Sequence, residues 1–259
     1  MMAADDIRRR CAPEAAHVAI EVVAETGSTN ADLLARLDGL RGPTLLLAEH
    51  QTAGRGRAGR SWLSAPGATL TFSLAWPLQG PLPRLAGLPL AVGVMLAESM
   101  AGLGLPVQLK WPNDVLRDGS KLAGVLIETR AAREPGIWAV IGIGINLLLP
   151  PQLETDIGRP VADAPWLARM ERHELMAVLT GALARGLAEF DAAGFAPFRL
   201  RWNGLHAHQG LGVTLSEQGK ILHQGRAGGV DALGRLLLDT PDGRLEIVSG
   251  DVSLRATQE

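Results

Sequence analysis

The texture of the chain changes near residue 205, and no single motif limits the fold as much. Beyond that point runs "LGVTLSEQGKILHQGRAGGVDALGRLLLDTPDGRLEIVSGDVSLR". Short β-prone runs alternate there with Gln-Gly, Gly-Gly, Leu-Gly and Asp-Gly pairs, read as turns, and no helical period interrupts them. A small all-β barrel of about fifty residues is expected. Before that point, strand-like and helix-like segments mix. The expected organisation is a flexible lead over 1–17, an α/β (α+β) catalytic domain over 18–205, and a β-barrel over 206–259. With 47% hydrophobic residues among 259, the chain can bury a sizeable core, which excludes global disorder.

Within the larger part, "VAIEVVA" (18–24) and "TLLLAEH" (44–50) read as strands, and "STNADLLARL" reads as a helix capped by Ser28 or Thr29. "ATLTFSLAW" (68–76) is β-rich. The apolar stretch 85–105 contains Pro89 and Glu98 and reads as a buried helix, not a membrane span. "VQLKWPNDVLR" gives two strands around a proline break, and Asp118-Gly119 signals a hairpin into "KLAGVLIETR". A buried strand over 137–149, a Pro/Asp-rich loop over 150–166 and a long helix over 171–190 complete the domain.

Net charge is −2, which disfavours a general nucleic-acid binder and makes any positive site local. One such site stands out in "AGRGRAGRSW" (53–62). "GRGRAG" matches the G-x-G-x-x-G spacing, yet a strand follows it where a dinucleotide fold needs a helix, and no acid stands about twenty residues on. The glycines allow close backbone approach, and Arg55, Arg57 and Arg60 can grip phosphate or carboxylate oxygens. A solvated basic loop is the alternative on this stretch alone. Only three of the 25 basic residues are lysines, and two of them, Lys110 and Lys121, flank "WPND". Cys11 is the single cysteine, so no internal disulfide is possible. His206 and His208 lack an evident third partner, and no metal site is expected from protein side chains.

Five pieces in order, "GSTN" (27–30), "GRGRAGR" (54–60), "KWPNDV" (110–115), "KLAGVLIE" (121–128) and "GIGINL" (142–147), closely resemble biotin protein ligases. The resemblance runs from about residue 20 to "GDVSLR" at 250–255. It implies a mixed-sheet catalytic domain followed by an SH3-like barrel. It also implies a two-step reaction: biotin and ATP with Mg²⁺ form biotinyl-5′-AMP, and a lysine of the biotin carboxyl carrier protein of acetyl-CoA carboxylase then takes the biotinyl group. A lipoate or octanoyl ligase or transferase of the same architecture is the alternative.

By this resemblance, Ser28, Thr29, Asn30 and Gln51 hold the ureido ring. Arg55, Gly56 and Arg57 lie in the loop that closes over biotin and the adenylate, with Arg57 the main phosphate contact and Arg60 assisting. Ala58 stands where many relatives carry a second basic residue. Lys121 contacts the biotin carboxylate and then the acyl-phosphate. Asn113 and Asp114 form the acidic patch, and Asp114 orients the carrier lysine or accepts its proton. Lys110 can pair with phosphate oxygens. Asn146 contacts adenine or ribose. Trp62 and Trp111 either wall a ligand pocket or pack the core. The family offers monomers and homodimers. Fewer than twenty residues precede the first strand, so no DNA-binding domain and no DNA partner are expected, and a cytoplasmic setting without a membrane is.

Overall fold

The structure, a computed structural model, describes residues 2–132, 136–158, 160–217, 220–248 and 252–256. Its strands are β1 (Ala19–Thr26), β2 (Thr44–Gln51), β3 (Thr69–Leu78), β4 (Gln108–Lys110), β5 (Asp114–Arg117), β6 (Ser120–Ala131), β7 (Ile137–Asn146), β8 (Gly212–Glu217), β9 (Lys220–Val230), β10 (Leu236–Thr240), β11 (Gly243–Ile247) and β12 (Val252–Ala256). Its α-helices are α1 (Ala4–Arg10), α2 (Thr29–Arg36), α3 (Leu88–Gly102), α4 (Pro151–Ile157), α5 (Pro165–Ala168), α6 (Arg172–Ala193) and α7 (Arg199–Leu205).

The first seven strands form one mixed sheet in the order β1-β2-β3-β7-β6-β5-β4. Only β1 and β2 run parallel there; the remaining neighbours are antiparallel. The pleat alternates side chains, so each strand serves two faces. One face carries Leu45, Leu47, Leu70, Phe72, Leu74, Ile141, Ile143 and Val125 into the main core with α3 and α6. The apolar stretch behind α3 lies inside the fold, with Leu88, Val92 and Met100 sealed from solvent. The other face packs a small cluster of Leu33 and Leu37 near α2 on Leu46, Ala75 and Val140.

Beyond that cluster, the second face turns polar and small. Register places Thr71, Gly144 and Gly124 in one cross-strand row, and Ser73, Gly142 and Leu126 in the next. Removing side-chain bulk from one face of a buried sheet makes a floor on which ligand or aromatic rings can lie.

After α7 the chain forms a five-stranded antiparallel sheet, β11-β10-β9-β8-β12, the SH3-like part of the fold. It is joined to α7 by Asn203, whose Oδ1 accepts from Val230 N (2.8 Å), and the segment between α7 and β8 is joined to the larger sheet by Ala207 N donating to Leu109 O (2.8 Å).

Three details differ from the sequence reading. The lead, described from residue 2, holds α1 over Ala4–Arg10 and a 3-10 turn over Pro13–Ala15, anchored by the buried Ile7 and Ala15. The loop over 150–166 contains α4 and α5, each begun by a proline in its first turn, where the missing N–H costs nothing. Gly228-Gly229 is no turn: both lie inside β9, where a Cβ on Gly229 would come within 2.7 Å of Asn203 Oδ1. The Gln218-Gly219 turn and Gly250-Asp251 of "GDVSLR" lie outside the described residues.

Candidate active site

The site is assembled on the polar face of the large sheet. Ser28 N-caps α2, its side chain accepting from Ala31 N (3.5 Å). That cap leaves the next two residues pointing at the sheet. Thr29 and Asn30 are each only 3% exposed, and a run of contacts links them to Gln51 and Ser73. Thr29 N donates to Gln51 Oε1 (2.8 Å). Gln51 Oε1 also faces Thr29 Oγ1 (3.0 Å), which faces Ser73 Oγ (2.6 Å), which donates to Asn30 Oδ1 (2.5 Å). Asn30 Nδ2 in turn donates to Glu128 Oε2 (2.9 Å). A carboxylate only accepts, so Glu128 fixes which way the Asn30 amide faces. The two hydroxyls then have two protons for three oxygen–oxygen contacts. The row presents several acceptor oxygens, which suits a ligand that donates N–H groups.

The glycine–arginine loop lies over this pocket as a small closed turn. Gly56 N donates to Arg60 O (2.7 Å), and Trp62 N donates to Gly54 O (2.9 Å). Ala58 adopts φ 54°, and Gly59 follows at φ 68°. Two arginines tie the loop to the sheet: Arg55 Nη2 to Glu128 Oε2 (2.8 Å), and Arg57 Nη1 to Asn113 Oδ1 (3.2 Å). Arg60 Nε donates to Arg57 O (3.1 Å), so Arg60 shapes the turn while its side chain borders two further cavities. Trp62 ends the loop with its ring over the glycine floor; a Cβ on Gly144 would fall 2.3 Å from that ring. The indole Nε1 is buried without a partner in this arrangement.

Asp114 and Lys121 meet across the β5–β6 hairpin. The hairpin turns at Asp118 and Gly119, both at positive φ. A bulge then intervenes: Val115 pairs with Ala123 but Leu116 pairs with Lys121. Leu122 and Ala123 both enter the core, and the reversed alternation aims Lys121 at the polar face. Its Nζ lies 2.5 Å from Asp114 Oδ1, with each side chain 19% exposed. The Lys121 chain passes over Gly124, where an added Cβ would sit 2.9 Å from Nζ. Asn113 is held by its amide, Nδ2 donating to Val125 O (2.8 Å).

Two cavities adjoin the ring pocket. One, of about 350 Å³, is lined by Arg60, Lys110, Asn113, Asp114, Lys121 and Arg255, so four cations face one carboxylate. The other, of about 510 Å³, is lined by Trp62, Lys121, Asn146, Asp156 and Val161 among others. Lys121 borders all three spaces.

The structure therefore brings Ser28, Thr29, Asn30, Gln51, Arg55, Gly56, Arg57, Arg60, Trp62, Asn113 and Lys121 around one pocket, with Asp114 beside it. Asn146 borders the neighbouring cavity, and its Nδ2 donates to Ala162 O (3.0 Å), a backbone clamp the sequence reading did not anticipate. Trp111 takes both expected places, bordering the cation-lined cavity and packing in the core. It is 1% exposed, and its indole donates to Gly234 O (3.2 Å) in the SH3-like part. Arg55 is turned to Glu128. Glu128 and Ser73 were missed, although a lone acid in "KLAGVLIE" and a lone serine in "TLTFSLAW" mark one-sided polarity in otherwise buried strands.

Away from this pocket, His206 is 5% exposed with its ring 4.5 Å from Trp202. Burial depresses its pKa to about 4, with opposing help from Gln209. Among the described residues no group of His, Cys, Asp and Glu is placed to hold a metal ion by itself.

Comparison with known proteins agrees with this architecture. The profile of the biotin/lipoate A/B protein ligase family matches residues 20–146, and that of the biotin protein ligase C-terminal domain matches 210–255. The chain is 35% identical over 249 residues to the bifunctional ligase/repressor BirA of Escherichia coli K12, covering 93% of this chain and 75% of that one. It is 34% identical over 241 residues to the biotin–[acetyl-CoA-carboxylase] ligase of Paracoccus denitrificans, covering 89% and 98%. The Aquifex aeolicus biotin protein ligase solved with biotin and ATP superposes with a TM-score of 0.76 at 29% identity, covering 92% of this chain and 99% of that one. In both domains and along nearly its whole length, this chain belongs to the biotin protein ligase family.

Proposed function

We propose that the chain activates biotin with ATP as biotinyl-5′-AMP and transfers the biotinyl group to a lysine of the biotin carboxyl carrier protein of acetyl-CoA carboxylase. The observation that carries this reading is the position of Lys121, on the shared wall of the polar ring pocket and the two larger cavities. A ring at Asn30 and Gln51 would extend a carboxylate toward Lys121. A nucleotide in the cation-lined cavity would bring its α-phosphate to the same ammonium.

The ring pocket suits a ureido group. Two N–H donors and one carbonyl acceptor complement a hydroxyl and amide row that presents several acceptor oxygens. In the first step the biotin carboxylate oxygen attacks the α-phosphorus, one P–O bond forms, and pyrophosphate leaves. Lys121, Arg57, Arg60 and Lys110 offset the repulsion between two approaching anions; fixed charges in a shielded site need no rearrangement as the reaction proceeds. In the second step a neutral carrier amine attacks the acyl carbonyl, a C–N bond forms, the C–O bond to phosphate breaks, AMP leaves, and Asp114 would orient the amine or take its proton.

Mg²⁺ would arrive at this site with the nucleotide. It usually takes one or two protein carboxylates and completes its octahedron with phosphates and water. The one carboxylate on the wall of the cation-lined cavity among the described residues, Asp114, is paired with Lys121, and Asn113 Oδ1 accepts from Arg57, so phosphate oxygens and water would be the chief ligands of the ion. When bound, the ion supplies charge neutralisation of the phosphates.

Exchange of labelled pyrophosphate into ATP tests the first step, and label transfer to a carrier domain tests the second. Exchange that requires biotin is expected. Exchange supported by lipoate or octanoate and not by biotin overturns the assignment.

A further inference from the structure

We infer that Glu128 is a positioning residue that ties occupation of the ring pocket to closure of the glycine–arginine loop. The inference rests on the ligase reading above and adds a residue and a device to it. A single carboxylate oxygen, Glu128 Oε2, accepts from Asn30 Nδ2 (2.9 Å) on the pocket side and from Arg55 Nη2 (2.8 Å) on the loop side. Asn30 is buried by the sheet and Arg55 is exposed on the loop, so the oxygen bridges a fixed element and a lid.

The sequence puts Glu128 there by register. It lies in the cross-strand row of Ala75 and Val140, on the face that carries Ser73 and Gly142 one row away. Its neighbours Ile127 and Val125 face the core or its margin, and Leu126, which shares its face, is apolar, so Glu128 is the residue of this part of β6 that offers a charge to the loop.

Glu128 acts on the two partners differently. For Asn30 it decides the amide orientation, because a flipped amide would set its Oδ1 against a carboxylate. The correct orientation keeps Oδ1 toward Ser73 and toward the side from which a ring N–H would come. For Arg55 it is an ion-pair partner reached only with the loop down on the sheet. The other loop tie, Arg57 to Asn113, also borders the ring pocket, but it bonds Asn113 and does not share the acceptor that orients Asn30. Two states that share one acceptor are thermodynamically linked. A ring that braces Asn30 favours the closed loop, and a closed loop tightens the ring's affinity by the same factor. This assigns Arg55 to the latch and leaves the phosphate contact to Arg57.

The test uses the full chain loaded with biotinyl-5′-AMP and follows release of the adenylate after dilution. Arg55→Met and Glu128→Gln are each expected to speed release roughly five-fold, the scale of one partly exposed ion pair. The double variant is expected to release no faster than either single one, and the biotin KM is expected to rise by a similar factor. Such pairwise coupling would not arise from a general loss of packing, and Arg55→Met changes an exposed side chain, so it reads out even if Glu128→Gln folds poorly. Wild-type release rates in Arg55→Met, or effects that multiply in the double variant, overturn the latch. A wild-type chain that forms no biotinyl-5′-AMP overturns the ligase reading instead.

Discussion

Lys121 Nζ stands 2.5 Å from Asp114 Oδ1, and each of the pair borders a wall of the cation-lined cavity. The ammonium is therefore engaged by a carboxylate of the chain, and a substrate carboxylate has to share or replace that partner. Lys121→Met is expected to lower biotin-dependent pyrophosphate exchange by roughly 10²–10³-fold, as loss of one preorganised charge-stabilising donor does. Asp114→Asn is expected to slow transfer to the carrier more than it slows exchange. Equal losses in both assays would contradict a role for Asp114 toward the incoming amine.

The glycine floor makes a sharper claim. A Cβ on Gly142 would lie 2.4 Å from Asn30 Oδ1, within a packed and buried amide. Gly142→Ala is expected to raise the biotin KM about ten-fold, consistent with an overpacking cost of about 1–3 kcal/mol. Gly39→Ala, where nothing lies within 4 Å, serves as the control. A biotin KM unchanged in Gly142→Ala would remove Asn30 from the ring pocket.

Arg57 ties the loop to Asn113. Arg57→Gly is expected to let the adenylate escape, so that proteins mixed with the enzyme become biotinylated without regard to sequence. The check is a blot for biotin on an unrelated protein. Labelling confined to the carrier would count against retention by Arg57.

His206 gives a pH dependence of stability. Its folded pKa of about 4 lies below the ordinary value of 6.5, so the unfolded chain binds the proton more readily. The contribution is fully present above about pH 6.5 and is lost as pH falls through about 4. The loss is about 3 kcal/mol at its limit, from 1.36 kcal/mol per pKa unit. Neighbouring His208 and Lys110 are basic and add no acid to hold the new charge. Urea midpoints between pH 7 and 4 should fall less steeply for His206→Phe, which keeps a ring on Trp202. Parallel slopes for the two chains would refute the assignment.

Much of this was legible in the chain itself. Strand positions followed from apolar runs and turn pairs, because alternation and Gly/Asp placement are local properties. Lys121, Arg57 and the Ser28–Asn30 segment could be singled out because their motifs are contiguous. Glu128 and Ser73 could not, since each joins the site only through a tertiary contact with Asn30, 98 residues from Glu128 and 43 from Ser73. The bulge at Leu122 is of the same kind: "KLAG" does not say which face its lysine takes. Trp111 was ambiguous for a related reason, as its partner carbonyl belongs to a turn 123 residues later. The helix over 4–10 was overlooked because seven residues with a single apolar anchor, Ile7, give no period to read.

The indole of Trp111 reaches from the start of "WPND" to the Gly234 carbonyl, and Ala207 is bonded to Leu109 on the neighbouring strand. The SH3-like part thus grips the chain next to Asn113 and Asp114. Cooperativity is the consequence. Calorimetry should record one heat-absorption peak for the two sheets together, and removing everything after residue 205 should cost activity at Asp114 along with melting temperature.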